Sequence, residues 1–124
     1  MVTVYVSDLD RAVEFYTQDL GFVKTAEFHD DRLPSIVWVC PAPSSNVALA
    51  TEIGLELAPP GDPRIGAAKG MVFTADDIET TYRELKAKGV RFTMELVRHD
   101  YGSGEGDQEA RFVDPDGNEF LLHT

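Results

Sequence analysis

Residues 72–90, VFTADDIETTYRELKAKGV, repeat the pattern of residues 4–22, VYVSDLDRAVEFYTQDLGF. Each stretch has a short apolar run, acidic residues at the start of a helix, about three helical turns, and a Gly followed by more apolar residues. A strand–helix–strand unit that occurs twice predicts two modules related by an approximate internal two-fold axis. Paired modules of this kind commonly hold a ligand between them.

Both helices carry an apolar stripe and an acidic start. In the first copy, Ser7 is predicted to cap the helix with Asp10 three positions later, and in the second Asp76 caps with Glu79. The glycines at 21 and 89 end the two helices. Apolar residues recur at helical spacing in both, which predicts one buried face per helix: Leu9, Ala12, Val13, Tyr16 and Leu20, then Ile78, Tyr82 and Leu85.

The remaining apolar runs predict three further strands in each copy. In the first module the last of them is Val47–Thr51, and the Pro- and Gly-rich residues 52–69 are assigned to a linker. Residues 114–118, DPDGN, predict a hairpin, because Pro presets a turn and Gly117 can adopt a positive φ. The predicted organisation is one domain, residues 1–124, with module one at 1–51 and module two at 70–124.

Composition excludes several classes of partner. The chain has 22 acidic and 11 basic side chains, a net charge of −11, and this field repels nucleic acid. No apolar run approaches the roughly 18 residues of a membrane span, and the first residues lack a secretory signal pattern. Cys40 is the single cysteine and lies in an apolar strand, so it is predicted to be an inert core thiol. A cytoplasmic protein is expected.

Several motifs together resemble the vicinal-oxygen-chelate superfamily, which includes glyoxalase I, bleomycin-resistance proteins and extradiol dioxygenases. The resemblance is carried by residues 6–16, VSDLDRAVEFY, by residues 20–22, LGF, by residues 85–90, LKAKGV, and by residues 112–118, FVDPDGN. It implies an α+β fold in which two βαβββ modules form cupped mixed sheets around a cleft. It also implies a homodimer.

Metal-dependent members of that superfamily place His, Gln or Glu at four inward positions, which the resemblance maps onto Met1, Leu49, Met71 and Leu121. None of these side chains offers nitrogen or oxygen to a divalent cation, and a thioether suits soft ions. A catalytic metal requires about three protein ligands. The expectation is therefore a protein without a bound metal or cofactor.

The cleft is then expected to be apolar and to bind a small, partly aromatic organic molecule. Trp38 is expected to act as a flat stacking wall, although a core position for this indole is an equal alternative. The residues assigned to this ligand site are Trp38, Leu49, Met71, Tyr101 and Leu121. Because the acidic field attracts cations, a cationic or neutral ligand is favoured over an anionic one.

Two other functions remain open from the sequence. One is a metal-dependent lyase or dioxygenase with displaced ligands, drawn from Glu52, His29, Glu119 and His123. In that class His99, beside Asp100, is a candidate acid–base residue. The other is an interaction protein in which Met71 and Leu49 pack together and close the cleft.

Overall fold

The computed structural model describes residues 1–41, 51–100 and 106–124. In this part of the chain, module one contains β1 (Val2–Val6), α1 (Leu9–Glu14), a π-helical segment (Phe15–Asp19), β2 (Val23–Asp30), β3 (Leu33–Cys40) and β4 (Ile53–Leu57). Module two contains β5 (Met71–Thr74), α2 (Ile78–Ala87), β6 (Arg91–Arg98), β7 (Gln108–Val113) and β8 (Glu119–His123).

The two modules have the same sheet topology. The first sheet has the order β1-β4-β3-β2 and the second the order β5-β8-β7-β6. In each, the first strand pairs in parallel with the last, and the other neighbours are antiparallel. The predicted α+β fold with two mixed sheets in βαβββ modules is therefore confirmed.

The structure corrects the assignment of residues 53–57 to the linker, because they form β4 (Ile53–Leu57). The strand predicted at Val47–Thr51 lies, except for Thr51, outside the described part of the chain. Residues 42–50 lie outside the described part of the chain. Ile53 and Leu55 alternate into the core between β1 and β3, but Gly54 and Glu56 obscure this alternation in the sequence.

Both helix caps lie one residue later than predicted. Asp8 accepts a hydrogen bond from the Arg11 backbone N–H at 3.1 Å, and Asp77 accepts one from the Thr80 backbone N–H at 3.1 Å. The Ser7 and Asp76 caps are therefore wrong. The Ser7 backbone N–H instead donates to Asp116 Oδ2 at 3.1 Å, which links the two modules.

The first helix also changes geometry in its second half. It was predicted as one continuous helix, whereas residues 15–19 form a π-helical segment in which the Leu20 N–H donates to the Phe15 carbonyl. The wider turn places Phe15 and Tyr16 in the core, where they are 7% and 0% exposed. Short π-helical segments are often found beside functional sites.

One hydrophobic core joins the modules. Tyr16 of the π-helical segment lies edge-on to Phe120 of β8 at 6.0 Å, so the first helix packs against the second sheet. Residues from both sheets contribute fully buried side chains: Val4, Val6, Val39, Ile53, Leu55, Phe112 and Phe120. Cys40 is buried, as predicted.

The predicted hairpin turn at 114–118 is confirmed and also connects the modules. Gly117 has a φ of +95°, and its N–H donates to the Asp114 carbonyl at 3.1 Å. The Asp114 carboxylate accepts a hydrogen bond from the Tyr16 hydroxyl at 2.8 Å and another from Asn118 Nδ2 at 2.8 Å. Burial raises the pKa of Asp114 above its ordinary value, although these hydrogen bonds oppose the shift.

Candidate functional site

Each sheet has a second face that points away from the shared core. In the first sheet, strand register places Thr3, Gly54, Trp38 and Ala26 side by side on this outward face. The alternate residues of β3, Val37 and Val39, are buried in the core. The outward face therefore carries Trp38 at its centre.

Trp38 is half-buried and is fixed by two neighbours. Its Nε1 atom donates to the Met1 sulfur at 2.9 Å. A Cβ atom built on Gly54 would lie 3.5 Å from the same Nε1 atom, so the indole lies across the bare backbone of Gly54. This distance is that of ordinary van der Waals contact, so an alanine at position 54 would fit against the ring.

The internal two-fold relation corrects two of the four mapped metal positions. Val2 pairs with Ile53 in the first sheet, and Met71 pairs with Phe120 in the second, which makes Val2 and Met71 equivalent. Met1 therefore corresponds to Gly70 rather than to Met71. By the same register, the residue equivalent to Leu121 is Gly54, and Leu49 lies outside the described residues.

The corrected positions still do not fit a divalent metal. Met1, Gly54, Gly70 and Leu121 provide no nitrogen or oxygen from a side chain. Throughout residues 1–41, 51–100 and 106–124, no three His, Cys, Asp or Glu side chains are grouped to hold an ion. The side chains at these four positions therefore supply no ligand set for a divalent metal.

The predicted ligand residues do not form one cluster. Trp38 and Leu121 lie on the outward faces of different sheets, and Met71 points toward the core and lines a cavity between the modules. Met71 had been expected to share a face with Leu121, but its partner is Phe120, and a shift of one residue moves a side chain to the other face. Leu49 and Tyr101 lie outside the described residues.

The residues considered as displaced metal ligands have separate partners. His29 Nε2 lies 3.4 Å from Glu27, and Glu52 accepts a hydrogen bond from Thr25 at 3.1 Å. Glu119 accepts from Thr93 Oγ1 at 3.0 Å. These pairs lie on different strands and do not converge in the described structure.

Module two presents two imidazole–carboxylate pairs that sequence reasoning missed. His99 Nε2 lies 3.1 Å from Glu109 Oε1, and His123 Nε2 lies 2.8 Å from Asp107 Oδ2. Glu109 and His123 are cross-strand partners, so the two pairs are adjacent. The hydrogen bond to Asp107, followed by one to the Thr124 carbonyl, raises the pKa of His123. Strand register was the missing signal, because the four residues are scattered in sequence.

Polar groups flank the indole of Trp38. Glu56 lies two residues after Gly54 in β4, so its side chain is on the same outward face. Its cross-strand partner is Ile36. Tyr5 pairs with Glu56, and the Arg64 guanidinium lies 4.2 Å from the centre of the Tyr5 ring. The outward face therefore combines an aromatic surface with a carboxylate.

Within the described residues, none of the helices is both long and apolar enough to cross a bilayer.

Comparisons with known proteins agree with this architecture. The model of the Glyoxalase/Bleomycin resistance protein/Dioxygenase superfamily matches residues 1–122. The Bacillus subtilis protein YetH is 32% identical, with 98% of this chain and 92% of YetH aligned.

Solved structures give the same result. A member of this superfamily from Sphaerobacter thermophilus is 31% identical with a TM-score of 0.79, covering 98% of this chain and 92% of that one. A glyoxalase I variant from Zea mays shares the fold at 24% identity and a TM-score of 0.73, with 98% of this chain covering 42% of that protein.

Proposed function

Because the chain belongs to the Glyoxalase/Bleomycin resistance protein/Dioxygenase superfamily, we propose that it is a metal-free binding protein for a small, partly aromatic molecule. The ligand stacks on Trp38, on the outward face of the first sheet. The observation that supports this most is the indole lying across Gly54 and bonded to Met1, where metal-dependent relatives are expected to carry ligands. At Met1 and Gly54 the ring of Trp38 therefore occupies the place where metal-binding nitrogen or oxygen atoms are expected in those relatives.

The geometry around Trp38 also supports a preference for cationic ligands. A tryptophan ring attracts a cation over its face through the ring quadrupole, and stacks on other flat rings. Glu56 adds a negative charge on the same face, and the chain as a whole carries −11. We therefore expect a planar cation to bind more tightly than a neutral or anionic molecule of the same shape.

Trp38 is the sole tryptophan, so its emission reports directly on this site. We expect saturable quenching by N-methylquinolinium, weaker quenching by quinoline and the weakest by quinaldate. In a thermal-shift assay, a ligand at a hundred times its Kd should add about 2.7 kcal/mol of stability. Equal responses to the three probes would contradict the charge preference, and no response to any planar aromatic would contradict the proposed function.

Substitution of Trp38 tests the role of the ring. Trp38→Ala should fold and lose the thermal shift with N-methylquinolinium, because a half-buried outward side chain contributes less to the core than to the ligand surface. Val97→Ala is the matched control, since Val97 is 39% exposed on the outward face of the other sheet. A Trp38→Ala protein that still binds, or one that fails to fold, would place the indole in a structural role.

The alternative is a metal-dependent lyase or dioxygenase with displaced ligands. Its test is elemental analysis of the purified protein, followed by loss of the metal on dialysis against a chelator. One equivalent of tightly held Zn, Ni, Fe or Mn would favour this enzyme over the binding protein. Substoichiometric metal that dialysis removes would favour the binding protein.

We also propose a cytoplasmic homodimer. The support is that β5 is an edge strand of its sheet with the apolar Val72 54% exposed, a pattern that invites pairing with another chain. Light scattering on purified protein should give twice the chain mass of 13.7 kDa. Val72→Lys should shift the mass toward that of one chain, whereas the monomer mass for the unmodified protein would contradict the proposal.

A further inference from the structure

A cavity of about 770 Å³ lies between the modules, on the side of the sheets that faces the helices. It is separate from the outward face that carries Trp38. Its walls come from the strands of both sheets, the end of the π-helical segment and one side of α2. The apolar part of its lining includes Phe22, Ile53, Met71, Phe73, Phe112 and Leu122.

The aromatic wall of this cavity is held in place from behind. Phe73 lies edge-on to Phe22 at 5.3 Å between ring centres and is stacked on Phe112 at 6.3 Å with an angle of 20°. Phe112 itself is 1% exposed. Because these rings are fixed by one another, the cavity keeps its shape without an occupant, which lowers the cost of binding.

The size and lining of the cavity are those of a small-molecule site. Protein interiors contain few voids larger than a water molecule, and ligand pockets usually have volumes of about 300–1,000 Å³ with mainly apolar walls. Placing an apolar molecule here removes the exposed parts of Met71 and Phe73 from water, which is favourable. The volume is therefore large enough for a molecule with two or three fused or linked rings.

Lys88 spans the mouth of the cavity. Its Nζ atom donates to the carbonyls of Gln18 at 3.3 Å and Asp19 at 3.4 Å, and Lys88 is also the C-cap of α2. The lysine thus ties the end of α2 to the end of the π-helical segment.

The charges at the mouth select against anions. Asp19, Glu84 and Lys88 all line the cavity, so two carboxylates outnumber the one ammonium and the charge at the mouth is negative. Thr81 adds a hydroxyl that can accept or donate a hydrogen bond. An uncharged molecule with one polar group can bond to this hydroxyl, whereas a sulfonate or carboxylate would meet the two carboxylates.

From these features we infer that the cavity between the modules is a second binding site, which takes an uncharged, largely apolar ring compound. This site is independent of the ligand surface at Trp38. The residues that line the cavity belong to one chain, and they include Val72 of the β5 edge that is proposed to pair with a second copy.

Two probes with the same fluorophore test the inference. N-phenyl-1-naphthylamine is uncharged, and 8-anilino-1-naphthalenesulfonate is the same molecule with an added sulfonate. The native protein should bind the uncharged probe with one equivalent and with a Kd at least about tenfold lower than that of the sulfonate, because like charges repel at a desolvated site. Binding of the sulfonate with equal or higher affinity would overturn the inference.

Substitutions at the mouth locate the probe. Thr81→Trp places an indole in the cavity from the half-buried side of α2 and should abolish binding of N-phenyl-1-naphthylamine. Glu79→Trp is the matched control, since Glu79 is exposed on the same helix and does not line the cavity. If circular dichroism shows that Thr81→Trp fails to fold, Glu84→Trp, at an exposed position of α2 that also lines the cavity, blocks it in the same way.

The two sites are distinguished by the Trp38→Ala variant. Binding of N-phenyl-1-naphthylamine that survives Trp38→Ala and is lost in Thr81→Trp supports the cavity, whatever the outcome at Trp38. Binding that survives every folded mouth variant would overturn the inference, as would an absence of binding to the native protein. Binding lost only in Trp38→Ala would assign the probe to the outward face.

Discussion

The imidazole of His123 lies between two oxygen atoms, one from Thr124 and one from Asp107. When Asp107 is ionised, both oxygens are acceptors and neither can donate a hydrogen bond. Its Nδ1 atom is 2.8 Å from the Thr124 carbonyl oxygen, and its Nε2 atom is 2.8 Å from Asp107 Oδ2. Both ring nitrogens must then donate, which requires the imidazolium form. This arrangement explains why the pKa of His123 is raised, with the hydrogen bond to Asp107 as the largest cause.

The raised pKa of His123 predicts a pH-dependent contribution to stability. The folded protein holds the proton more tightly than the unfolded chain, so the contribution is complete below the unfolded pKa of 6.5 and is lost as pH rises through the folded pKa. Urea unfolding should show that His123→Gln destabilises the protein more at about pH 5.5 than at about pH 9. The Asp107→Asn variant should lower the pKa of His123 in an NMR titration, and an unchanged pKa would contradict this explanation.

Gly66 is a position where a side chain cannot fit. Its φ is +72°, and a Cβ atom would overlap the backbone carbonyl of Asp116 in the hairpin of module two. Gly61 has a similar φ of +82°, but the space around its missing Cβ is open. An alanine at position 61 therefore tests backbone strain alone, and an alanine at position 66 tests backbone strain together with steric overlap.

We expect Gly61→Ala to cost about 1 kcal/mol, the penalty for a side chain in the left-handed region. Gly66→Ala should cost about 1–3 kcal/mol more, because backbone atoms must shift to relieve the overlap. Chemical denaturation of both variants checks the difference. Equal losses would show that the backbones at Gly66 and Asp116 can move apart at little cost, contrary to the close contact between them.

At the scale of elements, one hydroxyl connects the first helix to the second module. Tyr16 is 0% exposed, and its O–H donates to the buried carboxylate of Asp114 at 2.8 Å. Burial, followed by the charge of Asp114, raises the pKa of Tyr16 far above its ordinary value, so the hydroxyl stays protonated and remains a donor. Asn118 completes the junction by donating from Nδ2 to the Tyr5 carbonyl at 3.3 Å.

Removal of this hydroxyl should weaken the whole fold. Tyr16→Phe keeps the ring but deletes the donor to a buried carboxylate, which should cost about 2 kcal/mol in the free energy of unfolding. Tyr82→Phe is the control, because the Tyr82 hydroxyl bonds to the exposed Glu95, where water can replace it. We expect a clearly smaller loss for the control, and equal losses would argue against a buried junction between the modules.

The elements themselves show where local sequence is informative. The hairpin at 114–118 and the glycine after α2 were predicted from turn chemistry alone, and both are present. The caps moved by one residue because neighbouring residues, Ser7 and Asp8 or Asp76 and Asp77, are all good capping types. Strand β4 was missed because its central position, between β1 and β3, supports a Gly that local propensity disfavours.

At the scale of the molecule, the acidic charge should reduce stability at low salt. A net charge of −11 on 124 residues makes the compact state repel itself, and salt screens that repulsion. The Tm should therefore rise as NaCl increases from about 20 to about 300 mM. A variant with Glu14→Gln and Asp31→Asn should respond less, and a Tm that falls with NaCl would show that favourable ion pairs dominate instead.

The sequence by itself determined the two-module α+β fold, because an internal repeat, the glycines that end the helices and turn residues are all local signals. It also determined the absence of nitrogen or oxygen donors at Met1 and Leu121, since side-chain chemistry is read directly. Only the tertiary structure decided which face each strand residue uses, because a register shift of one residue moved Met71 from the outward face to the core. It alone placed Trp38 across Gly54, paired His123 with Asp107 and opened the cavity behind Phe73, since each depends on strands distant in sequence.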